Sequence, residues 1–259
     1  PGEGCDTDPA LIIEYPSGKQ VYDWTVPDEW NIRDAYIKAP DGTRLIDLAD
    51  SNLHVVGYSE PVNVKMTYDE LAPRLHILAD NPGAIPYRTS YYKRDWGFCV
   101  TAEELDKLRS ISGLLEVSID SHFDPTGSMT VGEILIPGES SEEYLVSTYC
   151  CHPSMANNEL SGPVLLNAIM LYIKSNYSKS KYTYRFVLAP ETIGSIAYLS
   201  KFKKVMKSNI ICGFNLTMVG DERAYSHSSS RKGNTLADNA LRASFIGLPN
   251  VKRYSFLNR

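Results

Sequence analysis

The chain has no run of apolar residues approaching the ~20 that a membrane-spanning helix needs, so no helical membrane segment is expected. Positive charge is also in short supply. Lys and Arg number 26 against 31 Asp and Glu, for a formal net charge of -5, and the basic residues are scattered. That distribution lacks the footprint of a nucleic-acid binder or of a protein that adheres to a membrane surface. The cysteines, Cys5, Cys99, Cys150, Cys151 and Cys212, form an odd set with no C-x-x-C pair, which argues against a disulfide framework and against a zinc knuckle. A reducing cytoplasm fits such usage. The opening Pro1-Gly2-Glu3-Gly4-Cys5-Asp6 has neither an initiator Met nor the charged and apolar regions of a signal peptide, and Asn258-Arg259 follows an apolar run abruptly. A piece of a longer protein is therefore expected. The partners left by these exclusions are small molecules or peptides, with homo-oligomerisation open.

What is present is an ordinary globular composition. With 259 residues, 43% hydrophobic and 22% charged, the chain can build a substantial core in one large domain or two smaller ones. After extended segments at Leu11 to Tyr15 and Gln20 to Trp24, the stretch from about Asp34 to Pro137 is rich in Tyr, Val, Thr, Gly and Pro and reads as mostly β. Asp41-Gly42 predicts a hairpin turn between Ala35–Lys38 and Arg44–Leu48. Leu53–Tyr58, Trp96–Val100, Leu115–Asp120 and Val131–Ile136 are further strand candidates, while Thr67…Glu70 and Thr101…Glu104 have capping-box spacing at helix starts. From about Glu143 the pattern changes to strand and helix in alternation: Tyr144–Tyr149, Ser161–Tyr177, Tyr182–Leu188, Ile193–Met206, Ile210–Val219, Thr235–Phe245. Apolar strands alternating with amphipathic helices predict a parallel, doubly wound α/β sheet covered on both faces.

In such a sheet the loops that follow the strands gather at one edge, where ligands bind. Those loops hold Cys151 to Glu159, Pro190-Glu191-Thr192 and Gly220-Asp221-Glu222, each with a carboxylate or an imidazole. The first is the densest, with His152 and Glu159 between a buried strand and a helix.

The run Ser147-Thr148-Tyr149-Cys150-Cys151-His152-Pro153-Ser154-Met155-Ala156-Asn157-Asn158-Glu159-Leu160-Ser161-Gly162, with Pro190-Glu191-Thr192-Ile193-Gly194-Ser195 and Val219-Gly220-Asp221-Glu222, resembles a bacterial aminopeptidase-like family of unknown function. That family is related to the zinc aminopeptidase and glutaminyl cyclase clan. The likeness continues upstream through Asp23 to Ile32, Asn52 to Val56, Thr89-Ser90-Tyr91-Tyr92, Trp96 to Cys99 and Ile136 to Glu139. It implies a zinc-aminopeptidase-like (phosphorylase/hydrolase-like) α/β fold, with a mostly parallel sheet and helices on both faces. A peptidase-like domain of residues 1–33 and 138–259, truncated at its C-terminus, would carry an inserted β-rich domain of residues 34–137. The implied site holds one or two zinc ions and hydrolyses an amide near a free amino terminus.

Carried across position by position, His152 matches the clan's first metal ligand. Asn158 falls where the clan has the Asp that bridges two zinc ions, and a neutral amide cannot supply that bridging charge, so Glu159 is expected to take over. Glu191 matches one member of a Glu pair whose other position here is Thr192, leaving a single acid for the role of general base. Asp221 matches a later acidic ligand, with Thr217 as the alternative register, and the last His ligand would lie beyond Arg259. The implied chemistry is a zinc-bound water with its pKa lowered towards ~7 and Glu191 moving its proton to the leaving amine. Glu159, Asp221 or Glu222 would hold the substrate's α-ammonium.

Plainer readings exist for the same residues. Asn157 and Asn158 suit a turn or helix cap, Glu191 a first-turn acid favoured by the helix dipole, and Asp221 and Glu222 a solvated turn. The tract Ser226 to Lys232 reads equally as a mobile loop or a substrate contact, and His54, His76 and His122 as structural residues. Two other classes compete. A cysteine hydrolase built on Cys150 or Cys151 is disfavoured because neighbouring side chains along a strand point to opposite faces. A non-catalytic binding or scaffold protein that keeps the peptidase fold is favoured by the amide at 158 and the missing second Glu.

Overall fold

The structure is a computed structural model that describes residues 10–91 and 93–257; Cys5, Tyr92 and the terminal Asn258-Arg259 lie outside the described residues. Its contacts separate two units. One comprises Pro1–Tyr15, Lys19–Val26 and Met129–Arg259, the other Pro16–Gly18 and Pro27–Ser128. The second unit thus runs from 27 to 128, against the expected 34–137, because the whole of the strand Glu29–Lys38 pairs within it and Ser128–Ile136 pairs with the other unit's sheet.

The second unit is built on a four-stranded antiparallel sheet in the order Arg44–Asp47, Glu29–Lys38, Leu115–Asp124, Val62–Met66. One face of Leu115–Asp124 buries Leu115, Val117, Ile119 and Ser121 in strict alternation, and the apolar members join Ala35, Ile37, Ile46, Leu71, Phe98 and Leu108 in the core. Gly42 takes φ 89° in the expected turn, and Asp41 accepts from the Thr43 amide at 2.9 Å. Both capping boxes form, Thr67 with Glu70 and Thr101 with Glu104. Of the strand expected over Leu53–Tyr58, Val55 and Gly57 make only isolated bridges to Phe98 and Thr89, while Asn52–His54 forms a 3-10 turn capped by Ser51 on the Leu53 amide. Its consequence is that His54 turns inward, where Nδ1 meets the Cys99 carbonyl at 2.8 Å.

The first unit holds the α/β pattern. Five strands, β1 (Leu11–Pro16), β2 (Ser128–Ile136), β3 (Ser140–Tyr149), β4 (Tyr182–Ala189) and β5 (Ile210–Leu216), form one sheet in the order β1-β2-β4-β3-β5. The three that carry the site loops, β4, β3 and β5, run parallel; β2 is antiparallel to β4. Helix α1 (Ser161–Asn176) follows β3 and α2 (Ile193–Asn209) follows β4. Successive residues of β4 point to opposite faces: Phe186 packs with Leu166, Met170 and Ile173 of α1, whereas Val187 and Ala189 pack with Ala197 and Tyr198 of α2. The sheet is therefore covered on both faces.

Gly162 sets how closely α1 can approach. A Cβ there would lie 2.1 Å from Thr148 Oγ1 and 2.9 Å from the Leu216 carbonyl, so only glycine lets the helix start directly over the ends of β3 and β5. Beyond β5, β6 (Tyr225–Ser228) and β7 (Val251–Tyr254) pair in parallel with α3 (Leu236–Ser244) between them. Ser226, His227 and Ser228, from the tract that reads equally as a mobile loop or a substrate contact, belong to β6. Among the described residues, no helix is long and apolar enough to cross a membrane.

Candidate metal centre

The first loop leaves β3 at Tyr149 and returns to α1 through a single π-helical turn, Ala156–Leu160, with Ser154 at φ 60° before it. Such turns widen the backbone and re-aim side chains, and they recur at functional sites. Here the turn drives Glu159 inward until 6% of it is exposed. One Glu159 oxygen accepts the Cys151 amide and the other meets Nδ1 of His152. The imidazole ring also stands edge-on to Tyr149, 5.6 Å between centroids at 89°.

The second loop supplies Glu191. Its carbonyl accepts from the Ile193 amide at 2.7 Å around Thr192, which has φ 61° and ψ -77°. This is a γ-turn of the positive-φ kind, strained for a β-branched residue. It places Glu191 outside α2, whose first turn has no acid, so the role of a dipole-stabilised first-turn residue is not the one it takes. Oε2 of Glu191 lies 3.5 Å from His152 Nε2, and the Glu191 amide donates to Cys151 Sγ at 3.1 Å.

The third loop fastens to side chains of the first loop and its flanks. Gly220 N donates to Asn157 Oδ1 at 2.9 Å, Val219 N to Ser161 Oγ at 3.0 Å, and the Thr217 and Tyr149 hydroxyls meet at 2.7 Å. Asp221 goes elsewhere. Its carboxylate is taken by the Arg223 guanidinium and amide, which hold its pKa down to about 2. A carboxylate neutralised in this way offers little to a cation or a substrate ammonium.

Of the residues singled out in the sequence, the structure thus brings His152, Glu159 and Glu191 together and leaves Asp221 bound to Arg223. Asn158 sits in the π turn beside Glu159. Its Oδ1 is buried and has no hydrogen-bond partner, and the helix that follows starts from Leu160 with no side-chain cap, so Asn158 serves neither as cap nor as a satisfied turn residue. Cys151 joins the cluster unexpectedly. Its sulfur lies 3.5 Å from Nδ1 and 3.8 Å from Nε2 of His152, and Cys151, His152 and Glu159 offer donor atoms all within 4.8 Å of one another. The sequence signal for it was the end of β3 at Tyr149: past a strand's end the rule of opposite faces no longer applies.

A thiol, an imidazole and a carboxylate in one partly buried pocket form the donor set that zinc takes, and an orphaned amide oxygen in the same turn is a further neutral donor. The set fits zinc better than a hard cation such as magnesium, which prefers oxygen alone. It does not fit a cysteine nucleophile. Burial pushes the Cys151 thiol up to about 12, the Glu191 amide offsets only part of this, and the nearby Glu159 and Glu191 add to the rise. Burial raises Cys150 as well. Without a cation both thiols stay protonated at neutral pH, where nucleophilic catalysis needs a thiolate.

Comparison with known proteins places this geometry in context. A Clostridium acetobutylicum protein, named provisionally as a polysaccharide biosynthesis protein with an aminopeptidase-like domain, is 46% identical over 230 residues, 89% of this chain and 52% of the relative. The chain therefore spans about half the length of that curated relative. A crystal structure of a protein from the same organism, described provisionally as a peptidase, superposes with a TM-score of 0.91 at 43% identity, over 96% of this chain and 58% of the other. The zinc aminopeptidase BSAP of Bacillus subtilis superposes with a TM-score of 0.61 at 13% identity, over 95% of this chain and 69% of the other, a likeness of fold. The chain belongs to the family described as a domain of unknown function (DUF4910), whose model matches residues 8–259.

Proposed function

We propose that this centre belongs to a zinc-dependent, aminopeptidase-like hydrolase that cleaves an amide bond near a free amino terminus. The observation that supports it best is the clamped imidazole: buried Glu159 engages Nδ1 of His152 while Nε2 faces Glu191 at 3.5 Å. A carboxylate on one ring nitrogen fixes the tautomer with its proton there and the lone pair on the other, the outer arrangement that metal-ligating histidines take. In this reading His152 Nε2 holds one ion, Asn158 Oδ1 offers a neutral oxygen, Glu159 orients the ring rather than ligating, and Asp221 takes no part. A single ion is favoured over two because no acid stands at 158 to bridge a pair.

Bound zinc supplies a Lewis acid for the carbonyl and a water acidic enough to act near neutral pH. Glu191 then takes the attacking water's proton on Oε2 and returns it to the leaving amine, a transfer open to a side chain that is 57% exposed and held on a stiff turn. A second reading, a non-catalytic peptidase-fold scaffold, draws support from Asn158 and Thr192, each neutral where the clan has an acid.

Elemental analysis after dialysis, with release of amino acids from a panel of short peptides with and without a chelator, separates the two. Near-stoichiometric zinc with chelator-sensitive release supports the hydrolase. Protein that retains zinc without releasing amino acids, or retains none, overturns it in favour of the scaffold. His152→Ala should lose the zinc and remain folded; zinc kept at full occupancy in that variant removes His152 from the site.

A further inference from the structure

We infer that Cys151 is a metal ligand, its thiolate supplying the negative charge that Asn158 does not, so that the centre is a mononuclear site with a sulfur donor. The inference rests on the metal-binding reading above and adds to it the identity of a ligand. Its basis is geometric. Around one tetrahedral zinc, with Zn–N of about 2.0–2.1 Å and Zn–S of about 2.3 Å, nitrogen and sulfur lie roughly 3.5 Å apart. Cys151 Sγ lies 3.5 Å from Nδ1 and 3.8 Å from Nε2 of His152, and Cys151, His152 and Glu159 offer donor atoms all within 4.8 Å of one another, close enough to gather on one ion.

The surroundings suit a metal-bound sulfur. The Glu191 amide donates to Sγ at 3.1 Å, and backbone N–H groups aimed at sulfur are a usual way to stabilise a coordinated thiolate. Glu159 ties the two candidate ligands together, one oxygen on the Cys151 amide and the other on the His152 ring, so a single buried carboxylate sets both directions. Charge balance agrees: one thiolate and the Glu159 carboxylate offset the two positive charges of zinc, and Glu191 is left over for proton transfer. Cys150, one residue back, still bonds through its amide to the Ala189 carbonyl at the end of the sheet and is exposed, which makes it the internal control.

Replacement of zinc by cobalt(II) reads the sulfur directly, because a thiolate ligand gives a near-ultraviolet sulfur-to-cobalt charge-transfer band that nitrogen and oxygen donors do not. The unmodified chain should bind about one cobalt with that band, Cys150→Ser should retain it, and Cys151→Ser should lose it, with zinc affinity weakened by roughly 100-fold or more, beyond what an outer partner costs. Should Cys151→Ser fail to fold, X-ray absorption of the zinc-loaded unmodified chain gives the same answer through a sulfur neighbour at about 2.3 Å. Stoichiometric cobalt with no charge-transfer band, or a band that disappears in Cys150→Ser instead, overturns the role of Cys151 and leaves the metal reading standing. A chain that binds no metal overturns both.

Discussion

Two clusters of charge in the α/β unit differ in what they leave undone. Around Arg185, in the middle of β4, everything is paired. The guanidinium meets both Glu143 oxygens at 2.6 and 3.0 Å, Glu133 at 2.5 Å and the Tyr198 hydroxyl at 3.0 Å; Tyr198 bonds Glu133, and Asn209 bonds Glu143 at 3.0 Å. Arg185, Glu133 and Glu143 are each 4% exposed. Burial alone would raise the Glu143 carboxyl, but the bonds from Arg185 and Asn209 carry it below its ordinary value. Around His152 the bonding is incomplete: Asn158 Oδ1 is buried without a partner, Glu191 is open to solvent, and Thr192 is strained. Charge alone does not mark a site. A network that satisfies itself holds a fold, whereas one with an orphaned acceptor and an exposed acid keeps bonding capacity that the fold does not use.

The comparison predicts opposite mutational behaviour. Arg185→Met leaves two carboxylates buried without a counter-charge and should cost about 3–5 kcal/mol, read as a lowered midpoint in urea unfolding. A cost below about 1 kcal/mol would mean that water reaches the network and that the contrast fails. Glu191→Gln should leave folding within about 0.5 kcal/mol of the original, since its side chain is solvated. It should retain zinc and lower kcat by at least about 100-fold. Undiminished turnover would return Glu191 to the status of a turn residue. Glu159→Gln keeps the shape but weakens the clamp on His152, and competition against a chelator should show zinc affinity down by roughly 10–100-fold. No change there would place Glu159 on the structural side of the contrast.

The sequence carried the paired half of this comparison poorly and the incomplete half partly. Strands β3, β4 and β5 and helices α1 and α2 were legible because apolar period switches between 2 and 3.6 near Glu143, and the three loops followed from them. Arg185 was not legible: it sits inside an apolar strand run, and its partners come from β2, β3 and α2, a pairing only the sheet order reveals. His152 and Glu191 could be read from motif and topology. The inward turn of Glu159 could not, because nothing local distinguishes a π turn from the first turn of a helix. The fate of Asp221 was set by Arg223, two residues on, an interaction visible in spacing but outweighed by the loop's position after β5. The strand expected over Leu53–Tyr58 failed at its start for a similar reason, since Ser51 caps the Leu53 amide more locally than any strand partner competes for it.

A third cluster sharpens the contrast by a smaller effect. Asp238, in the first turn of α3, is 2% exposed and accepts from the amides and hydroxyls of Ser230 and Thr235 at 2.6–2.8 Å, with His227 Nε2 at 3.6 Å. Burial alone would raise its carboxyl, yet these bonds hold it far below the ordinary 3.8. The sign follows from proton counting. Near that ordinary value the unfolded chain binds a proton that the folded chain refuses, so the stabilisation is complete above pH of about 4–5 and drains away as pH falls through the folded value. Asp238→Asn should cost about 1 kcal/mol at neutral pH, the scale of a lost capping interaction, and less in acid, so that urea-unfolding free energies of the two proteins converge below pH of about 4. If the gap stays constant with pH, the contribution comes from the hydrogen-bond geometry and not from the anion. Asp238 would then be a turn residue, and only the Arg185 network would remain as an example of charge fully used in folding.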